Sequence, residues 1–394
     1  MRILIFSFVF LTLSGNLKAQ IWQQFTDFPG VARDDGASFS IGSIHYLGTG
    51  RSLDFSCTGD FYAYDSYLEI WYPVASLPLW QERQYACAFS HEQYGYVVGG
   101  ENCNGYYFNS FWKYDPNTNL WSEMPALPAE GRAGCQQFML GSAYYLIGGR
   151  NASGILDEVW CFDFTTNTWE QKGNLPFEGC WRGLAFSNAS NGFLAAGRTN
   201  TANQTGWNTQ TWSYEKLTDT WSATNILDFG SRMYVNTAQT DSLVFVYGGV
   251  DPNDNTLSSL EKINLNTLQK TNLSSFASTP RKGCMSFAGN GFFYLSTGIA
   301  GNNRLDETWR LAFSQDAGIF ENNLLEAFTV LQDELILVRV NPILLGEQLK
   351  ISDLHGQIIL SQEVDEIEEK IAVNFLPLGT YFIEINGYTR KFLR

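Results

Sequence analysis

Arginine recurs at Arg33, Arg83, Arg132, Arg232 and Arg281, each time at the end of a loop-like stretch and ahead of an apolar run. A guanidinium is a planar fork of donors that suits carboxylates, so five in equivalent places imply either an anion site or pairing with carboxylates such as Asp34, Glu82 or Glu130. Glu101 and Tyr106, in "ENCNGYYFNS", and the stretch "RTNTANQTGWN" (198–208) add amides, a phenol and an indole that fit sugar hydroxyls and stacking faces. Metal chemistry has little to draw on. The three histidines are His45, His91 and His355, and the first two occupy different places in their surroundings. "DPNDNTLSSLEK" from Asp251 spaces its oxygens like a calcium loop, yet Thr256 stands where the turn glycine belongs and Lys262 where the bidentate Glu belongs. That loop reads as solvated, and neither metal nor cofactor is expected.

The elements that carry these residues repeat. Strand-like runs end in glycine at Gly50, Gly100, Gly149, Gly197, Gly249 and Gly298, at steps of 48 to 52 residues. Other columns fall into the same register: Phe39, Phe89, Phe138, Phe186, Ala238 and Phe287; then Tyr62, Trp112, Trp160, Trp212, Glu261 and Trp309; then Trp22, Trp71, Trp121, Trp169, Trp221 and Gln269. The arginine column breaks only in unit four, where Cys180 takes its place and Arg182 stands two residues on. Six units, each of four short strands separated by Gly, Asn, Asp and Pro turns, cannot bury their two apolar faces singly; radial stacking buries both. The expectation is a six-bladed β-propeller, with a tryptophan wedge between blades. Because Trp22 has no unit ahead of it and no seventh partner follows Trp309, "IWQQFTDFP" should supply the outermost strand of the sixth blade and so close the ring.

Tyr114-Asp-Pro-x-Thr-Asn-x-Trp121, Leu127-Pro, Arg132 and the paired Gly148-Gly149 resemble the kelch repeat, over residues 20 to 314. The resemblance implies the propeller fold and brings two kinds of enzyme into view. Copper-radical oxidases need imidazole and phenol ligands that this chain does not align. Six-bladed kelch sialate mutarotases use a Glu with a nearby Arg after a blade glycine; here Glu101 follows Gly100 with no arginine close behind it.

Both ends carry transport signals. Residues 1–19 have the basic start, apolar stretch and small final residue of a signal peptide, and no later stretch of the chain is apolar enough for a membrane span. A linker over 315–323 is followed by alternating runs over 324–394 that predict a small β-sandwich. Asp353-x-x-Gly356-Gln357, Leu376-x-x-Gly379-x-Tyr381-Phe382 and the basic ending with Lys391 resemble the C-terminal sorting domain of the type IX secretion system of Bacteroidetes, although the family's early Pro-Asn-Pro is absent. The resemblance implies Gly379, Tyr381, Phe382 and Lys391 as the sorting motif and the secretion machinery as a partner. A net charge of −15 disfavours nucleic acid and anionic membrane. Seven cysteines leave one unpaired at least; Cys57 and Cys103, in polar loops, are the one pair expected to bridge.

The fold is thus expected to be all-β, a six-bladed propeller with a β-sandwich tail. The chain reads as an exported protein, secreted or held at the outer cell surface after crossing the periplasm. Its expected role is a module binding a glycan or protein, with Arg33, Arg83, Arg132, Arg232, Arg281, Glu101 and Tyr106 at the channel mouth. The alternative is a sialate-mutarotase-like isomerase working in the central channel.

Overall fold

A computed structural model describes residues 21–313 apart from 67 and 201–205, and within the tail residues 325–331, 335–340, 345–366, 368–377, 379–385 and 388–393. The expected signal peptide, the expected linker and part of the 198–208 loop lie outside the described residues. All described regular elements are strands.

Up to Ala312 the described strands form six four-stranded antiparallel sheets, numbered here as blades in chain order, and three two-stranded ribbons. Blade 1 runs outward through Ala37–Ile41, Ile44–Gly48, Phe61–Asp65 and Ile70–Val74. Blades 2 to 5 repeat that order, beginning at Cys87, Gln136, Leu184 and Asn236. Blade 6 takes Met285–Gly289, Phe292–Ser296 and Thr308–Ala312 from one end of the repeats and Trp22–Gln24 from the other, with Trp22 opposite Leu311.

Why these residues make blades follows from the pleat. Second strands are apolar on both sides, as in Ala143–Ile147, where every residue is buried between the neighbouring blades. First and second strands pair aromatic with aromatic: Phe39 opposite Tyr46 and Phe89 opposite Tyr96, each stacked about 5 Å apart. The Phe39 ring then enters blade 2 at Gly95, where any Cβ would lie 1.9 Å from it. Only glycine lets the two sheets approach so closely.

In blades 1, 2, 3 and 6 the outer-strand tryptophan ties the blade to the one before it; Trp221 of blade 4 makes no such bond. Trp71 donates its indole N–H to Thr26 O, Trp121 to Ala75 O, Trp169 to Pro125 O and Trp22 to Ser274 O. Blade 5 has Gln269 in that column, and Lys270 beside it donates to Asp228 O instead.

In the tail, a three-stranded sheet (Leu325–Leu331, Leu335–Val340, Glu368–Ala372) and a four-stranded sheet (Ile358–Glu363, Gln348–Ser352, Thr380–Ile385, Tyr388–Leu393) share one core. Val338 and Ile371 from the first meet Leu349, Ile351 and Ile383 from the second, which makes a β-sandwich. Tyr381 is buried and its hydroxyl donates to Pro377 O, just before Gly379. Phe382 pairs with Lys391 across the last two strands.

Candidate functional site

In each blade the second-to-third strand loop and the connection into the next blade lie at the same end of the propeller, the end where the arginines stand. The expectation that Arg33, Arg83, Arg132, Arg232 and Arg281 open on the channel mouth needs correction. All five are at most 2% exposed, and four are ion-paired inside their own blade. Arg33 grips Asp60 with both arms at 2.6 and 2.8 Å, and Arg232 grips Glu261 at 2.9 and 2.9 Å. Arg132 meets Glu158 at 2.5 Å and Arg281 meets Glu307 at 2.7 Å.

These partners are not the neighbouring acids suggested by proximity along the chain. Asp60, Glu158 and Glu307 stand two residues before the column of Tyr62, Trp160 and Trp309, at the start of the third strand. Blade 5 has Ser259 at that place, and Glu261, in the column itself, takes over the pairing. This explains the missing tryptophan there. Burial opposes ionisation of Asp60, but its bonds to Arg33 outweigh that and hold the carboxyl below its usual range. Glu158 and Glu307 are held low in the same way, against burial, by their tryptophan and arginine partners.

Arg83 has no carboxylate partner. Its fork is filled by Gln81 O, the Gln81 side chain, Gly99 O at 2.8 Å and Ser110 Oγ, with the Phe108 ring 4.1 Å away. Burial presses its pKa down to about 9, which still leaves it charged at neutral pH. The column therefore braces the blades; it is not presented to solvent.

Two residues past the column lies a feature that sequence reasoning passed over. Asp35, Tyr85, Gly134, Arg182, Tyr234 and Gly283 all adopt φ between +53° and +64°. Backbone N–H groups link them around the axis: Asp35 to Gly283 O at 2.7 Å, Tyr85 to Asp35 O, Gly134 to Tyr85 O, Arg182 to Gly134 O and Tyr234 to Arg182 O. Arg182, which looked like a displaced member of the arginine column, belongs to this axial ring, while Cys180 fills the column position in blade 4 and is wholly buried.

The Arg182 guanidinium carbon lies 3.7 Å from the Tyr85 ring centre, 3.9 Å from Tyr234 and 4.1 Å from Trp181. Close neighbours give this end a dense set of charges and rings. The Tyr85 hydroxyl hydrogen-bonds Asp35, whose carboxyl burial pushes up to about 7, a rise that Arg182 opposes and Asp34 reinforces. Asp34 is paired with Arg304 at 2.5 Å. Glu101, 8% exposed, accepts from Gln84 Nε2 at 3.1 Å and from Tyr107, and lies 4.0 Å from Arg150. Arg150 covers the Trp181 ring, Arg198 the Trp207 ring, and Arg51 and Arg304 the Phe55 ring, all within 4.4 to 5.0 Å. Tyr106 is well exposed on the same loop as Glu101. A disulfide between Cys57 and Cys103 joins the loops of blades 1 and 2.

Away from this face the first strands enclose a channel of about 820 Å³, lined by small polar side chains such as Ser38, Ser90, Ser187, Thr237 and Ser286. Gly36, Ala86 and Val235 line its inner end, each next in sequence to a member of the axial ring. His45 is buried against Phe287, with Nδ1 2.7 Å from Ser40 Oγ, and burial drops its pKa to about 3. Among the described residues no three His, Cys, Asp or Glu side chains gather as a metal site. Asp251 instead accepts from the Asn253 and Asn255 backbone N–H groups in a turn.

Residues 10–183 match the KLHDC2/KLHL20/DRC7 Kelch-repeats domain, and residues 333–394 match the Secretion system C-terminal sorting domain. Among solved structures, that of YjhT is similar in fold: TM-score 0.59, 16% identity, 72% of this chain and 95% of that one covered.

Proposed function

The chain carries kelch repeats and a C-terminal domain that sends it through the type IX system to the cell surface or beyond, and from this premise we propose that it is an extracellular ligand-binding module. Its binding surface is the loop face that holds the axial ring, and its ligand is a glycan bearing carboxylates. The observation that carries this reading is the exposure of Val31, Leu53, Phe55, Leu79, Trp80 and Tyr106, at 56 to 84%, on the loops of that face leading into and out of blades 1 and 2. Apolar side chains concentrated in one sector of a monomer mark an interaction surface. The Cys57–Cys103 bond ties two of those loops, which lowers the entropy lost on binding. Beside them Arg51 lies over Phe55, and Arg150 and Arg198 add guanidiniums further round the same face of a chain of net charge −15. Rings next to guanidiniums suit a sugar's apolar face and its carboxylate together.

The test is binding of the full chain to immobilised polygalacturonate and to neutral dextran. Polygalacturonate alone should retain it, and the double variant Trp80→Ala/Tyr106→Ala should lose at least tenfold in affinity at unchanged melting temperature. Equal retention on dextran, or full affinity in the variant, would refute the reading.

A second reading, an isomerase of the sialate-mutarotase type, draws on the Asp35, Tyr85 and Arg182 group, which sets a hydrogen-bonded acid beside a cation at the axis. Accelerated anomer exchange of an acidic sugar, seen by NMR and lost in Asp35→Asn, would favour it.

A further inference from the structure

Resting on the ligand face proposed above, we infer that Arg182 is its carboxylate receptor, an axial guanidinium clamped between Tyr85 and Tyr234 with its donor edge left for the ligand. The contrast with the rest of the molecule is the starting point. In the arginine column every fork has hydrogen-bonded partners. Arg132, Arg232 and Arg281 each leave one buried nitrogen unpartnered, but each holds a carboxylate; Arg182, 8% exposed, holds none, its Nε is unpartnered, and its close contacts are with rings.

Rings satisfy the faces of a guanidinium and leave its edge alone, because the N–H groups point outward in the guanidinium plane. A carboxylate meets that edge with two coplanar oxygens, which is the strongest pairing open to it. Stacking between two tyrosines also fixes the plane, so little orientation remains to be lost when the anion arrives.

The nearest acid does not take this role. Asp35 is hydrogen-bonded to Tyr85 and set beside Asp34, and it acts on Arg182 through charge. Its burial pushes the carboxyl up, which weakens the charge it sets against the cation. Gly134 makes the clamp possible: a Cβ there would come within 2.6 Å of Trp181 Nε1 and 3.1 Å of Arg182 Cγ.

A sugar suits the surroundings better than a bare anion. Gln84 Oε1, next in sequence to Tyr85, is buried without a hydrogen-bond partner. It is an acceptor, and a hydroxyl group answers it.

The experiment compares glucuronate with glucuronamide, which differ only in the carboxylate, by ligand-observed NMR on the full chain. Wild type should prefer glucuronate at least tenfold, and Arg182→Met should remove that preference while leaving retention on polygalacturonate through the Trp80 sector measurable. Arg182→Lys, which keeps the charge and loses the fork, should fall between and serves if the Met variant does not fold. Wild type that holds polygalacturonate without preferring glucuronate would overturn Arg182 as the receptor and leave the binding module standing. The same holds if the preference persists in both variants. Retention of neither polymer by wild type would sink the proposed function itself and this inference with it.

Discussion

Asp35→Asn should stabilise the fold relative to wild type by an amount that grows as pH rises. In the folded chain the Asp35 carboxyl titrates at about 7 where an unburied Asp titrates at 3.8. The groups facing it are Tyr85 at the entry to blade 2, Arg182 at the entry to blade 4 across the axis, and Asp34 beside it, the last already paired with Arg304. Burial outweighs the help from Arg182, so folding favours the protonated acid. Below about pH 4 both states hold the proton and ionisation costs the fold nothing. Between pH 4 and 7 the unfolded chain ionises first, and the fold loses stability as pH rises. Three pK units at about 1.4 kcal/mol each put the full loss on the order of 4 kcal/mol above pH 7. Asparagine keeps the shape and cannot ionise, so the variant minus wild-type difference isolates this group from Asp60, Glu158 and Glu307, which gain stability with rising pH at the acid end. Urea unfolding of both chains from pH 4.5 to 8.5 should show Asp35→Asn gaining on wild type by several kcal/mol. A flat difference would mean that Asp35 is not buried as described. A slope of opposite sign would mean that it is ionised and paired to Arg182, and the account of the axis would then be wrong.

Three further outcomes follow from the packing. Glu261→Gln leaves Arg232 buried without its counter-charge and should cost about 3 kcal/mol in denaturant unfolding; a loss below ~1 kcal/mol would show that water reaches the pair. Trp121→Ala should cost about 3 kcal/mol, and Trp121→Phe about 1 kcal/mol for the lost bond to Ala75 O, by the same assay. Deleting residues 21–24 removes the outer strand of blade 6, and the melting transition should fall by more than 10 °C or broaden, on the order of what an exposed sheet edge and the loss of buried Trp22 would cost; an unchanged transition would show that this strand does not hold the ring.

How much of this was readable in the sequence depends on the distance over which each signal acts. The Gly50 to Gly298 spacing, the Phe39 column and the Trp121 column reflect contacts within a blade or with the next one, so they repeat in register and can be counted. The Cys57–Cys103 pair could be singled out because both lie in Gly- and Asn-containing loops while most of the others sit in apolar stretches. The role of the arginines was hidden because Asp60, Glu158 and Glu307 are some 26 residues further on and meet them only once the third strand is laid beside the second. Their signature, an acid two residues before an aromatic, is short but present. Arg182 was hidden differently. A residue displaced by two in one unit looks like an alignment fault, and only the closing of the ring shows that the second position after the column converges on the axis.

That convergence gives the molecule an address that can be rewritten. Asp, Tyr, Gly, Arg, Tyr and Gly already occupy six equivalent sites on one backbone course, with the same left-handed turn and N–H donors linking five of them to the site before. The four side chains there, of Asp35, Tyr85, Arg182 and Tyr234, stand apart from the apolar faces that hold the blades. A combinatorial library over positions 35, 85, 182 and 234, with Gly134 and Gly283 kept because a Cβ at either would clash, would therefore diversify the centre of the propeller.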